Sequence, residues 1–230
     1  MLLARVGRFA SLARPLACTA SAAKPPPELV FLTARRAYSI PARESSYLLD
    51  ATGVETYSPA ASWLHWAMAA GVLTIVGTVK LAQNSTAEQR KRWGWSKADL
   101  MHLHKSVALL MAAAIVPRVA VRLLSFAPPL PAGPALEHAA AHTSHAAMYA
   151  FLLGLPASGI AMAYFSGKGL PFFKYTLPGA KVADGKLAKK FYGWHKQLGQ
   201  LFVYLVPLHI GATALHAWKG QNLFTRFRFN

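Results

Sequence analysis

The chain has 230 residues, 54% of them hydrophobic and only 14% charged, with a mean hydropathy of +0.28 and a formal net charge of +17. An ordinary soluble domain carries about a quarter charged residues, so this composition is that of a membrane protein. A basic balance elsewhere would indicate nucleic acid, but no nucleic-acid motif interrupts the apolar runs and the basic residues lie mostly between them, which points to lipid headgroups instead.

Residues 1–38 read as a targeting segment. They hold Arg5, Arg8, Arg14, Lys24, Arg35 and Arg36 against one acid, Glu28, among Ala, Ser and Leu. An Arg-rich, acid-poor stretch able to form a basic amphipathic helix describes an organellar presequence rather than a secretory signal; a disordered basic tail is the alternative reading. Arg35-Arg36-Ala37-Tyr38-Ser39 resembles a mitochondrial processing site, with cleavage expected after Tyr38. The single cysteine, Cys18, falls inside this segment. Residues 39–230 are therefore expected to form no disulfide, no thiolate-held iron–sulfur cluster and no Cys-x-x-Cys-His heme attachment. A Gly-x-Gly-x-x-Gly fingerprint and a P-loop are also missing. If the protein moves electrons, histidine-held, non-covalent heme is the remaining common option.

Four apolar runs follow, each near the ~20 residues needed to cross a bilayer: about Ser62 to Leu81, Leu103 to Leu124, Ala139 to Tyr164, and His195 to Trp218. None contains an acidic residue, and no internal sequence repeat or second domain is evident. The expected fold is all-α, one four-helix transmembrane bundle over residues 39–230. Between the runs, residues 82–101 are polar with Trp93 and Trp95, residues 125–138 are Pro-rich, and residues 165–194 form a long basic connection. With four spans, both termini share one side of the membrane. The first and third connections share the other and carry most of the Lys and Arg, which positive-inside reasoning places in the matrix.

The histidines carry the chemistry. His195 and His209 are fourteen residues apart in the last span. At 100° and ~1.5 Å per residue, they point within about 40° of one another at levels roughly 21 Å apart. His65 lies just inside the first span on the terminal side, at the depth of His209, while His102 and His104 open the second span at the depth of His195. Two stacked hemes spanning the bilayer would use such pairs: His65 with His209, and His104 with His195. His102 and His104 point about 200° apart and cannot both face the bundle. His104 is preferred because Arg118, again fourteen residues on, brings a guanidinium to the level of His65 and His209. A buried Arg needs an anion, which heme propionates would provide; the alternative is snorkelling toward headgroups with Arg122. His138, His142 and His145 share one face of the third span, read as interfacial histidines near the terminal-side heme rather than a metal site. His216 is too shallow to pair with His65 and takes a supporting or proton-handling role.

These residues fall in strings that resemble the four-helix bacterial type of the cytochrome b561 family, from about Tyr57 to Phe227. Tyr57-Ser58-Pro59 and Leu64-His65-Trp66 resemble its opening. Leu103-His104-Lys105-Ser106 and Arg118-x-x-x-Arg122 resemble its second helix. Ala141-His142-Thr143-Ser144-His145 and Leu155-Pro156-x-x-Gly159 resemble the third, and Trp194-His195, Leu208-His209, Ala214-Leu215-His216 and Asn222-Leu223 the fourth and its exit. Members often place a glycine four residues after the second-helix histidine, where this chain has Ala108. The resemblance implies two bis-histidine b-type hemes on His65, His104, His195 and His209, with ubiquinone as electron partner and superoxide as a donor in some members. The expectation is a mitochondrial inner-membrane diheme cytochrome relaying electrons to or from ubiquinone. The alternative is an accessory subunit docked on a larger respiratory complex through its second and third connections.

Overall fold

In a computed structural model, residues 48–49, 55–125 and 127–228 are described, all within one unit spanning residues 42–230. The expected presequence, residues 1–38, with Cys18 and the cleavage position, lies outside the described residues. The order is β1 (Leu48–Leu49), β2 (Glu55–Thr56), α1 (Pro59–Asn84), α2 (Ala87–Arg92), α3 (Lys97–Leu124), α4 (Ala135–Phe165), β3 (Leu170–Phe172), β4 (Tyr175–Leu177), α5 (Gly185–Trp218) and a 3₁₀ turn, Leu223–Phe227. Among the described residues, α1, α3, α4 and α5 are the helices long and apolar enough to cross a membrane, giving the four-helix transmembrane bundle.

Local chemistry sets the helix starts. Ser58 caps α1, its hydroxyl accepting from Ala61 N–H, with Pro59 in the first turn where no N–H is needed. Reciprocal capping boxes open α2 (Thr86 with Gln89) and α3 (Ser96 with Asp99). Asp184 caps α5 by accepting from Leu187 N–H at 2.9 Å. That cap corrects the expected start of the last span, which lies ten residues upstream of His195 at Gly185. Lys186, Lys189 and Lys190 break the apolar run but not the helix. At ~1.5 Å per residue, the 34 residues of α5 reach about 51 Å, well beyond the ~30 Å hydrocarbon core. The first turns of α5 therefore stand in the headgroup region or beyond it. What remains of the third connection folds into the antiparallel β3–β4 hairpin, with Phe172 opposite Tyr175.

The spans pack chiefly as two antiparallel hairpins, α1 with α3 and α4 with α5. Gly71 lets α3 come close to α1: a Cβ there would run into Met111 Sδ. The buried apolar centre is small, Val72, Phe202 and Val206 ringed by residues such as Phe151 and Leu205. Large apolar side chains including Val116, Leu123, Leu201 and Leu208 are exposed, as a lipid-facing surface requires. Exposed tryptophans mark both ends of the bundle, Trp63 and Trp218 at one and Trp93, Trp95 and Trp194 at the other.

Candidate functional site

Helix periodicity turns His104 of α3 and His195 of α5 toward each other across the two hairpins. Their ring centroids are 6.3 Å apart with planes at 90°. Each ring is held at Nδ1 by a carbonyl of the other helix in its own hairpin: Ile75 O at 3.1 Å for His104, and Leu155 O at 3.0 Å for His195. A carbonyl only accepts, so Nδ1 carries the proton and Nε2 keeps its lone pair. That is the tautomer a metal ligand needs, and the Nδ1–H bond makes the ligand more basic.

The carbonyls are themselves anchored. Thr78 Oγ1 donates to Thr74 O and Ile75 O at 2.8 and 3.0 Å, and Ser158 Oγ donates to Gly154 O and Leu155 O at 2.7 and 3.0 Å. Ser158 Oγ also lies 3.2 Å from His195 Nδ1. Gly159 leaves room for this ring, since a Cβ there would sit 3.2 Å from His195 Cε1. His102 takes no part: its Nε2 donates to Phe173 O at 2.9 Å in the β3–β4 turn. Phe173 N–H donates to the fully buried Ser106 Oγ at 2.9 Å.

At the terminal end, His65 of α1 and His209 of α5 have centroids 6.4 Å apart with planes at 54°. His145 of α4 also approaches His209, at 5.8 Å and 68°, at the terminal-side level where the sequence expects it. Arg118 reaches α1, donating to Ala61 O at 2.7 Å, one turn from His65. The other histidines are engaged elsewhere or exposed. His138 Nε2 donates to Pro131 O at 3.0 Å, His216 Nδ1 pairs with Gln221 Oε1 at 2.8 Å, and His142 is exposed. Among the described residues, no group of three or more His, Cys, Asp or Glu converges on a metal position. Beside this level Tyr57 is largely buried, and burial pushes its phenol above the ordinary value, keeping it neutral.

Phe202 lies seven residues from both His195 and His209, stacked obliquely with Phe151 at 5.7 Å, and separates the two levels. The hairpins also correspond to each other. Adding 80 takes His65, Ile75 and Thr78 of α1 to His145, Leu155 and Ser158 of α4, and adding 91 takes His104, Lys105 and Arg118 of α3 to His195, Lys196 and His209 of α5. No repeat is visible in the sequence as a whole, yet the hydroxyl–carbonyl–imidazole chain occurs once in each hairpin.

Residues 56–229 match the prokaryotic cytochrome b561 family. The chain belongs to that family. It is a membrane-embedded b-type cytochrome with an electron-transfer role. The cytochrome is 26% identical over 154 residues to a probable superoxide oxidase, CybB, of Yersinia pestis, covering 66% of this chain and 84% of that one. It is 32% identical over 109 residues to cytochrome b561 homolog 2 of Escherichia coli, covering 46% of this chain and 58% of that one. Both relatives are bacterial.

Proposed function

We propose that this cytochrome holds two b-type hemes, one between His104 and His195 and one between His65 and His209, and relays electrons through the membrane to or from ubiquinone. The observation that carries the reading is the spacing of the two imidazole pairs. A ring nitrogen binds a first-row metal at about 2.0 Å and lies about 1.15 Å from its ring centre, so two imidazoles that hold one iron between them would keep their centroids roughly 6.3 Å apart. The pairs stand at 6.3 and 6.4 Å. The His145–His209 distance of 5.8 Å is short for such a pair, which favours His65 as the partner of His209. The donor set therefore fits the group that the family carries.

A bound heme would supply one-electron redox chemistry, held by His104 and His195 at one level and by His65 and His209 at the other. The protein's residues do the rest. The carbonyls of Ile75 and Leu155 fix the imidazole tautomers at the loop-side level. Arg118 stands at the terminal-side level, one turn from His65, and would offer its guanidinium to a propionate there. Phe202 and its neighbours keep water out between the levels. Lysines of the first and third connections draw an anionic donor toward the loop side by electrostatic steering. Superoxide fits that role: two of them give up one electron each and become dioxygen, and a quinone takes both electrons with two protons to become the quinol. The composition of residues 1–38 supports residence in the mitochondrial inner membrane. Import into isolated mitochondria, with N-terminal sequencing of the product, tests this; a product still beginning at Met1 refutes it.

An optical redox titration of the purified protein tests the main proposal and should count two hemes per chain. His195→Ala should abolish one centre and His209→Ala the other, while His145→Ala keeps both. Retention of both centres in either of the first two variants overturns the ligand assignment.

A further inference from the structure

The two imidazole levels are held by different means. His104 and His195 are each tied at Nδ1 to a backbone carbonyl. At the terminal end, the ring of Phe227 lies against the ring of His65, with centroids 4.4 Å apart and planes at 25°. Tyr57 stacks on Phe227 in turn, at 4.2 Å and 17°, so that three rings form one column from the start of α1 to the site.

Phe227 belongs to the segment that returns after α5, and this return is tied down at three places. Trp66 Nε1–H donates to Phe227 O at 3.0 Å. Tyr57 N–H donates to Arg226 O at 2.9 Å. The Arg226 guanidinium donates to Pro129 O, in the connection between α3 and α4, at 2.5 Å. A backbone clamped on both sides of its peptide unit leaves the Phe227 ring little freedom. The face of His65 is thereby set by a side chain 162 positions away in sequence.

We infer that Phe227 is the positioning residue of the terminal-side centre: its ring, clamped between Tyr57 and His65, fixes the plane of the His65 imidazole where a carbonyl bond does so at the loop-side centre. The inference rests on the reading of His65 as an iron ligand. It makes the C-terminal turn part of one redox centre and not of the other. The plane of an axial imidazole governs its overlap with iron orbitals, so the consequence appears in the spectrum and midpoint of that centre whether or not the electron donor is known.

The test compares the full-length, heme-loaded protein in detergent with its Phe227→Leu and Phe227→Tyr variants by low-temperature electron paramagnetic resonance and by potentiometric titration. Leu keeps the apolar bulk but cannot stack, whereas Tyr keeps the ring. Phe227→Leu should move the low-spin signal and midpoint of one centre, changing its oxidised-to-reduced ratio at a fixed potential by about two- to tenfold, the scale of one aromatic contact. The other centre should stay as in the wild type, and Phe227→Tyr should match the wild type at both. Loss of one heme from Phe227→Leu with the other intact supports the same conclusion. Unchanged centres in Phe227→Leu, equal changes in both, or a Tyr variant that behaves like Leu overturns the inference. A wild-type protein without any bis-imidazole low-spin signal refutes the ligand reading beneath it, a result separable from all of these.

Discussion

Gly159→Ala sets the seat of His195 against helix stability. The new Cβ would stand 3.2 Å from His195 Cε1 and 3.3 Å from Nδ1. Carbon contacts are comfortable at about 3.5–4.0 Å, so the ring must retreat by about 0.3–0.5 Å. The retreat is away from α4, which carries both Nδ1 acceptors, Leu155 O at 3.0 Å and Ser158 Oγ at 3.2 Å. Stretched toward about 3.5 Å, the contact stops being a hydrogen bond, and the net loss is about 0.5–1.5 kcal/mol. Replacing a mid-helix glycine by alanine returns about 0.5–1 kcal/mol. The two effects offset, so thermal stability should move by less than about 1 kcal/mol while the imidazole shifts. With His195 as the proposed ligand, a weaker Nδ1–H bond makes the imidazole less basic and a poorer donor to oxidised iron. The midpoint of the loop-side centre should therefore rise and the terminal-side centre stay where it is. Thermal melting and a potentiometric titration of the same preparation read both quantities. Two unchanged midpoints, or a large fall in stability with both centres altered, would refute the reasoning.

Arg118→Gln removes a cation from the terminal-side level and takes the guanidinium bond from Ala61 O. A nearby positive charge favours the form with one more electron, so the midpoint of that centre should fall in spectroelectrochemistry, with the centre roughly 21 Å away little changed. An unmoved midpoint would mean that Arg118 serves the headgroups instead. Ser106→Ala takes the acceptor from the N–H of Phe173, a non-glycine residue held at φ 49°. Loss of this part-buried bond should cost about 0.5–1.5 kcal/mol in thermal or denaturant unfolding. Adding Phe173→Gly should recover about 1 kcal/mol, because glycine adopts positive φ without strain. No recovery would show that the turn is not strained.

Hydropathy and helical period were enough to place the four spans, and the fourteen-residue interval in the last of them was enough to locate two levels of imidazole. Both are properties of a single helix, readable wherever a side chain repeats on one face. The choice of His104 over His102 is of the same kind, and the structure turns His104 inward and His102 toward the β3–β4 turn. The start of α5 was hidden because Lys186, Lys189 and Lys190 end the apolar run while Asp184 still caps a helix. Other features exist only once the helices are packed. The carbonyls of Ile75 and Leu155 are backbone atoms, and every residue has one, so no sequence signal announces that these two receive an imidazole proton. The approach of His145 to His209 depends on how α4 leans on α5. The column of Tyr57, Phe227 and His65 joins the two ends of the described chain, and only tertiary structure can bring them together. Repeating side chains along one helix are local information; which carbonyl or ring meets them from a neighbouring segment is decided by packing.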